Sequence, residues 1–276
     1  MSDLSQHLAA SQRIEIEDLD WAACKAHGLT DREIECLKFF ADIESQTVYY
    51  FLEIAKLQAV RDPGFLTFLT MWNYEEYFHS HAITRVLVEC GVPVESATER
   101  STRIRGTRRF RTWLEDTSQT LMSKLFPRRF IGLWCFWGSM QECLTTQAYE
   151  EVMRATQNPV LAELMRRIAK QERRHFAYYY NEARERLLDP GTQRLCRFIA
   201  KNFYAPVGAG VKSAEQAAQL VATLFPGDRI FEVMGYIEKR VSTLPGMEGL
   251  DVCTRWARRI QPILPESMRA AASAAA

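Results

Sequence analysis

The sequence has no Cys-x-x-Cys pair, no long apolar run and almost no net charge. Seven cysteines (Cys24, Cys36, Cys90, Cys135, Cys143, Cys196, Cys253) are scattered and odd in number, which excludes a fully paired disulfide framework. Without closely spaced thiols the chain also lacks the signature of a zinc site or a rubredoxin-type iron centre, and reduced cysteines in a cytoplasmic protein are expected. The longest apolar stretch, 130–140, is too short to span a bilayer, and the first residues lack the basic start and apolar run of a signal peptide. A formal net charge of +1 gives no bulk attraction to nucleic acid or to a membrane surface, so neither is expected as a partner. The Gly208-Ala209-Gly210 loop does not have the pattern of a phosphate loop.

What the chain does have is a repeated pattern of acids and histidines. Glu76-Tyr77-Phe78-His79 and Glu172-Arg173-Arg174-His175 are both Glu-x-x-His, and each follows a lone glutamate, Glu44 and Glu142. On a helix, residues three apart lie about 60° apart around the axis, so a carboxylate and an imidazole can grip one metal ion from one face. Each lone glutamate precedes its motif by a similar distance, 76 − 44 = 32 and 172 − 142 = 30 residues. In an antiparallel hairpin two residues are level when the turn falls midway between them. The midpoints, near residues 60 and 157, carry Arg61-Asp62-Pro63-Gly64 and Gln157-Asn158-Pro159, both with turn chemistry. Two such hairpins face to face bring four carboxylates and two imidazoles into a bundle core, the ligand set of a carboxylate-bridged di-iron or di-manganese centre.

The periodicity agrees. Leu37, Phe40, Glu44, Thr47, Phe51 and Ile54 recur at steps of three and four, and Glu44 lies inside that stripe. Glu76 with His79, Glu142, and Glu172 with His175 interrupt the apolar stripes of three more helices in the same way. Four buried carboxylates without basic partners would cost several kcal/mol each, which two divalent cations would offset. Metal helices are expected over 31–60, 64–91, 128–157 and 159–188, inside a single domain spanning 31–268. Residues 1–30 are expected to form a partly ordered arm with a short helix near 18–27, and 269–276 a frayed tail. Shorter helices broken at 205–210, Pro226-Gly227 and Pro245-Gly246 should surround the bundle. The fold class is therefore all-α, a ferritin-like four-helix bundle with additional C-terminal helices. Glu75 points about 100° away from Glu76, toward solvent or an outer layer of the site. His81 is also off the ligand face. Phe40, Trp134, Trp137 and Phe176 are candidates for a channel wall, although ordinary core packing accounts for any one of them.

Together, Trp72-x-x-Glu75-Glu76-x-x-His79, Gln141-Glu142-x-x-Thr145 and Gln171-Glu172-x-x-His175 resemble the soluble acyl-carrier-protein desaturases, over roughly residues 32–188. That resemblance implies Glu44, Glu76, His79, Glu142, Glu172 and His175 as ligands of two iron ions, with manganese the other metal suited to these donors. It implies Trp72, Glu75 and Gln171 as supporting residues, and places Thr145 near the oxygen-binding side as the catalytic hydroxyl. It further implies dioxygen as co-substrate, an external electron donor such as a ferredoxin-type reductant, a carrier- or CoA-linked acyl substrate and a homodimer. Gln171 departs from the family, which has Asp there. The implied activity is that of a di-iron oxidoreductase, a desaturase. The alternatives are an oxygenase (hydroxylase or N-oxygenase) of a small molecule and a ferritin-like metal store. N-oxygenases of this kind have a His where this chain has Ile168.

One segment stands apart in charge. Residues 100–129 hold nine Lys or Arg against Glu115 and Asp116, a local balance of 9 − 2 = +7, and eight of the nine are Arg. Arg105, Arg108 and Arg109 at its centre suit the carboxylates of an acidic carrier protein or the phosphates of CoA, while a solvated basic face explains the same run.

Overall fold

The computed structural model describes residues 4–55, 57, 62–95, 99, 122–208 and 213–269, and among these the chain is all-α, with no strand. Four long helices dominate: α3 (Asp31–Ala55), α4 (Pro63–Glu89), α5 (Pro127–Ala155) and α6 (Pro159–Arg186). They lie over the four segments expected as metal helices, and the expected end of the first, residue 60, lies outside the described residues. Two short helices precede them, α1 (Leu4–Ala10) and α2 (Trp21–His27). Four follow, α7 (Pro190–Phe203), α8 (Ala214–Leu224), α9 (Arg229–Val241) and α10 (Val252–Ile260), with two 3-10 turns beyond.

The helix starts are written in the sequence. α4, α6 and α7 each open with an acid or amide followed by proline. Asp62, Asn158 and Asp189 accept hydrogen bonds from the first free amides, and the proline occupies a position with no N–H to lose. Thr30 and Glu33 exchange backbone and side-chain bonds at the start of α3, the expected capping box. The short 156–158 link makes α5 and α6 antiparallel neighbours along their lengths, and α3 packs on α4 in the same manner. α8 covers α3 and α5, and α7 and α9 lie against α5. One continuous apolar core results, with Tyr149, Tyr178, Tyr179, Phe65, Phe68 and Phe136 among its largest fully buried side chains. No described helix is long and apolar enough to cross a membrane.

The N-terminal segment packs against the bundle: Ile14, Ile16, Leu19 and Cys24 are buried, and α1 and α2 both touch α4 and α6. The short helix expected near 18–27 corresponds to α2. Ile14 and Ile16 alternate in a non-helical stretch, a period that a search for helical stripes overlooks. The tail from residue 270 lies outside the described residues, as does most of the basic segment, for which the sequence suggests a helix over 110–125; of that stretch only 122–125 are described, and they are helical.

All seven cysteines are free thiols. Six are buried and Cys90 is half-buried. Burial pushes Cys36, Cys143 and Cys196 up to about 12, so they are poor nucleophiles in the folded chain. Thiol titration of the native protein should show early reaction at Cys90 alone, and all seven thiols after denaturation without reductant. The Cys24 and Cys90 sulfurs are 3.7 Å apart, so any cross-link lowering that count should join these two. A reproducible deficit without a Cys24–Cys90 peptide would contradict this packing.

Candidate metal centre

The six expected ligands converge. Glu44 comes from α3, Glu76 and His79 from α4, Glu142 from α5, and Glu172 and His175 from α6, and all are buried, none more than 7% exposed. Their donor atoms form two groups, Glu44–Glu76–His79–Glu172 and Glu76–Glu142–Glu172–His175, with the atoms of each group within 4.8 Å of one another. Glu76 and Glu172 belong to both groups, so two ions held here would share these two carboxylates.

Each shared carboxylate divides its oxygens between the two imidazoles. Glu76 turns Oε1 to His175 Nδ1 at 3.0 Å and Oε2 to His79 Nδ1 at 3.7 Å. Glu172 turns Oε1 to His79 Nδ1 at 3.0 Å and Oε2 to His175 Nδ1 at 3.2 Å. Glu76 Oε1, His79 Nδ1 and Glu172 Oε1 are fully buried yet have no aligned hydrogen-bond partner. Such atoms are rare in a folded core and need something to bind.

Protonation points the same way. Burial raises the Glu44 and Glu142 carboxyls well above the ordinary range, and the neighbouring acids Glu76 and Glu172 push further in that direction. Burial also works to raise Glu76 and Glu172, and Glu76 pushes Glu172 the same way, but hydrogen bonds outweigh this, from Glu44 and then the imidazoles at Glu76 and from the imidazoles at Glu172, and hold both below the ordinary value. Burial would depress the histidines, yet the facing carboxylates push His79 up to about 10 and His175 well above its usual value. Without metal, burial and mutual repulsion thus favour the neutral form of Glu44 and Glu142, while the facing carboxylates favour the charged form of both imidazoles. Cations bound among these donors would relieve the same crowding of acids. The residues fit the ions: carboxylate and imidazole donors without thiolate suit iron or manganese.

An outer layer fixes the ligands. Trp72 Nε1 donates to Glu142 Oε1 at 3.0 Å, and the Tyr149 hydroxyl donates a short bond to Glu44 Oε1. The two unshared carboxylates are thus each held by an aromatic donor. His175 Nε2 lies 2.7 Å from Glu75 Oε2, and His79 Nε2 lies 2.6 Å from Gln171 Oε1. Glu75 is accordingly a buried support, and its alternative as a solvated residue is excluded. Among these side-chain supports, Tyr149 is the one that the sequence does not single out, because its aromatic ring reads as one more member of the apolar stripe. Its register carries a signal all the same, since it stands two turns after Glu142 on the face that meets α3.

Other expected residues separate. Thr145 lies on the wall of an apolar cavity together with Glu44 and donates its hydroxyl to the Gln141 carbonyl at 3.0 Å. Phe40 lines the same cavity. Trp134, Trp137 and Phe176 instead pack against Phe130, Tyr204 and Tyr180, the ordinary-core alternative. His81 is exposed. Arg105, Arg108 and Arg109 lie outside the described residues. No family model, curated protein or solved structure matches the chain.

Proposed function

We propose that this chain is a ferritin-like, two-metal oxidoreductase that uses dioxygen to oxidise an apolar substrate, most simply an acyl chain linked to a carrier protein or CoA. The observation that carries the reading is the pair of four-ligand groups sharing Glu76 and Glu172. Two iron ions bound there, reduced by an external donor, would supply the activation of dioxygen.

The chain's own residues supply the rest. The cavity that begins at Glu44 is narrow in this structure, about 20 Å³, so an acyl chain would have to part its walls to enter. Its walls are apolar, with Phe39, Phe40 and Ile43 from α3, Leu144 and Ala148 from α5, and Phe225 closing one side. Apart from Glu44, Thr145 contributes the one polar side chain among these lining residues. Such a wall binds hydrocarbon and excludes water, which protects a reactive centre from side reactions. Tyr149 holds Glu44 in place at the boundary between cavity and centre, and Thr145 offers a hydroxyl able to relay a proton there.

The test is single-turnover oxidation by ferrous-loaded protein with a carrier-linked acyl chain. Ala148→Leu fills the cavity and touches none of the ligands. It should leave metal content unchanged and lower substrate oxidation at least tenfold, while oxidation of the metal by dioxygen alone continues. Unaltered substrate oxidation in Ala148→Leu would move the substrate elsewhere, and turnover of a free amine or arene in preference to the acyl chain would favour the small-molecule oxygenase reading.

A further inference from the structure

Both metal-facing imidazoles are held from behind, and the two supports meet at one residue of the N-terminal segment. Glu75 on α4 backs His175, and Gln171 on α6 backs His79. The Gln12 N–H donates to Glu75 Oε1 at 3.1 Å, and the Gln12 carbonyl accepts from Gln171 Nε2 at 3.0 Å. Only the Gln12 backbone is used; the residue itself is exposed. The segment is anchored on either side. Arg174 bonds the Ala10 carbonyl and Glu75 together, Arg167 holds the Glu15 carbonyl at 2.7 Å and Asp18 at 2.6 Å, and Ile14 and Ile16 are buried.

The Gln12 carbonyl does more than fill a gap. A glutamine side chain can present either its oxygen or its amide nitrogen to a neighbour. Because the Gln12 carbonyl accepts from Gln171 Nε2, the Gln171 oxygen is the end that faces His79. An oxygen can only accept, so His79 Nε2 carries a proton and donates it. When the ring is neutral, its Nδ1 lone pair then points at Glu76 and Glu172, the form a metal ion requires. Remove the Gln12 carbonyl and the amide is free to turn over, which would favour the wrong tautomer. Glu75 has two equivalent oxygens and no such choice to make.

We infer that the backbone of Gln12 is a positioning element of the metal centre, so that docking of the N-terminal segment and retention of metal are linked. This rests on the two-metal reading above. Linkage makes the effect reciprocal: whatever strengthens one equilibrium strengthens the other by the same factor.

Two measurements on the full chain test it. The first is the rate at which iron(II)- or manganese(II)-loaded protein gives up metal to a chelator. Gln12→Pro removes the N–H that donates to Glu75, and an ester in place of the Gln12–Arg13 peptide weakens the carbonyl that orients Gln171; each should speed release about tenfold or more, the scale on which outer supports of metal ligands act. Gln12→Ala keeps both backbone groups and should release metal at the parent rate. The second uses the unsubstituted protein, so it decides even where Gln12→Pro does not fold: exchange of the Gln12 amide hydrogen should slow when metal is added. Release from Gln12→Pro at the parent rate, or a Gln12 amide whose exchange ignores the metal, overturns the inference while leaving the two-metal reading in place. An unsubstituted chain that takes up neither metal overturns that reading itself, and this inference with it.

Discussion

Glu172→Ala is expected to strip both metals from the chain, and Glu76→Ala to do the same, whereas Glu142→Ala or Glu44→Ala should leave about one ion bound. The reason is the division of oxygens. Glu76 and Glu172 each serve both four-ligand groups, while Glu44 and Glu142 each serve one. Losing a shared carboxylate removes one donor from each ion and half of the negative charge that keeps the two cations together. Losing an unshared one leaves the opposite group with its full set. Elemental analysis after loading with iron(II) should find about two ions per parent chain, near zero for the shared-ligand variants, and an intermediate value for the others. Helical circular dichroism on the same samples separates metal loss from unfolding. His175→Ala should resemble Glu142→Ala, since His175 serves one group alone. Full loading of Glu172→Ala would sink the ligand assignment. Equal losses in all four glutamate variants would sink the distinction between shared and unshared positions.

That the ligands could be read at all follows from helical geometry. A spacing of three keeps Glu76 with His79 and Glu172 with His175 on one face, and the position of the turns sets which residues across a hairpin are level. The 156–158 link falls where the midpoint of Glu142 and Glu172 requires it, and α4 begins at Pro63, just past the midpoint of Glu44 and Glu76. Which carboxylates bridge was not legible, because that depends on how one hairpin is seated on the other. Glu75 shows a second limit. Helical geometry alone turns a residue 100° from the ligand face toward solvent, yet the N-terminal segment and Arg174 close over that side of α4 and bury it. Gln12 lies beyond any sequence reading, since it acts through its peptide groups and its side chain carries no signal. The likeness to acyl-carrier-protein desaturases rests on the motif set alone. The unsatisfied buried atoms of Glu76, His79 and Glu172 bear on metal binding and leave the reaction to experiment.

The second large effect is expected far from any charge. Gly138→Ala should destabilise the chain by about 1–3 kcal/mol, the usual cost of forcing one carbon into a filled core. A Cβ at Gly138 on α5 would lie 2.8 Å from Tyr179 Cδ1 and 2.9 Å from Cγ. These are rigid ring atoms, and the ring has nowhere to retreat: Tyr179 is buried, edge-on to Phe68 at 5.0 Å and to Trp72 at 6.4 Å. Trp72 in turn donates to Glu142, one turn along α5 from Gly138. The glycine therefore sets how closely α5 approaches α6, and the strain of replacing it would be passed toward a ligand. Gly235, inside α9, offers the opposite case within the same chain. A Cβ there meets nothing within 4 Å, so Gly235→Ala should gain up to about 1 kcal/mol from the better helix propensity of alanine. Thermal melts of the two metal-free variants should move in opposite directions, by roughly 2–4 °C for each kcal/mol in a domain of this size. A Gly138→Ala protein that melts with the parent would mean that Tyr179 has room to move, and that the close approach of α5 and α6 is set by other contacts.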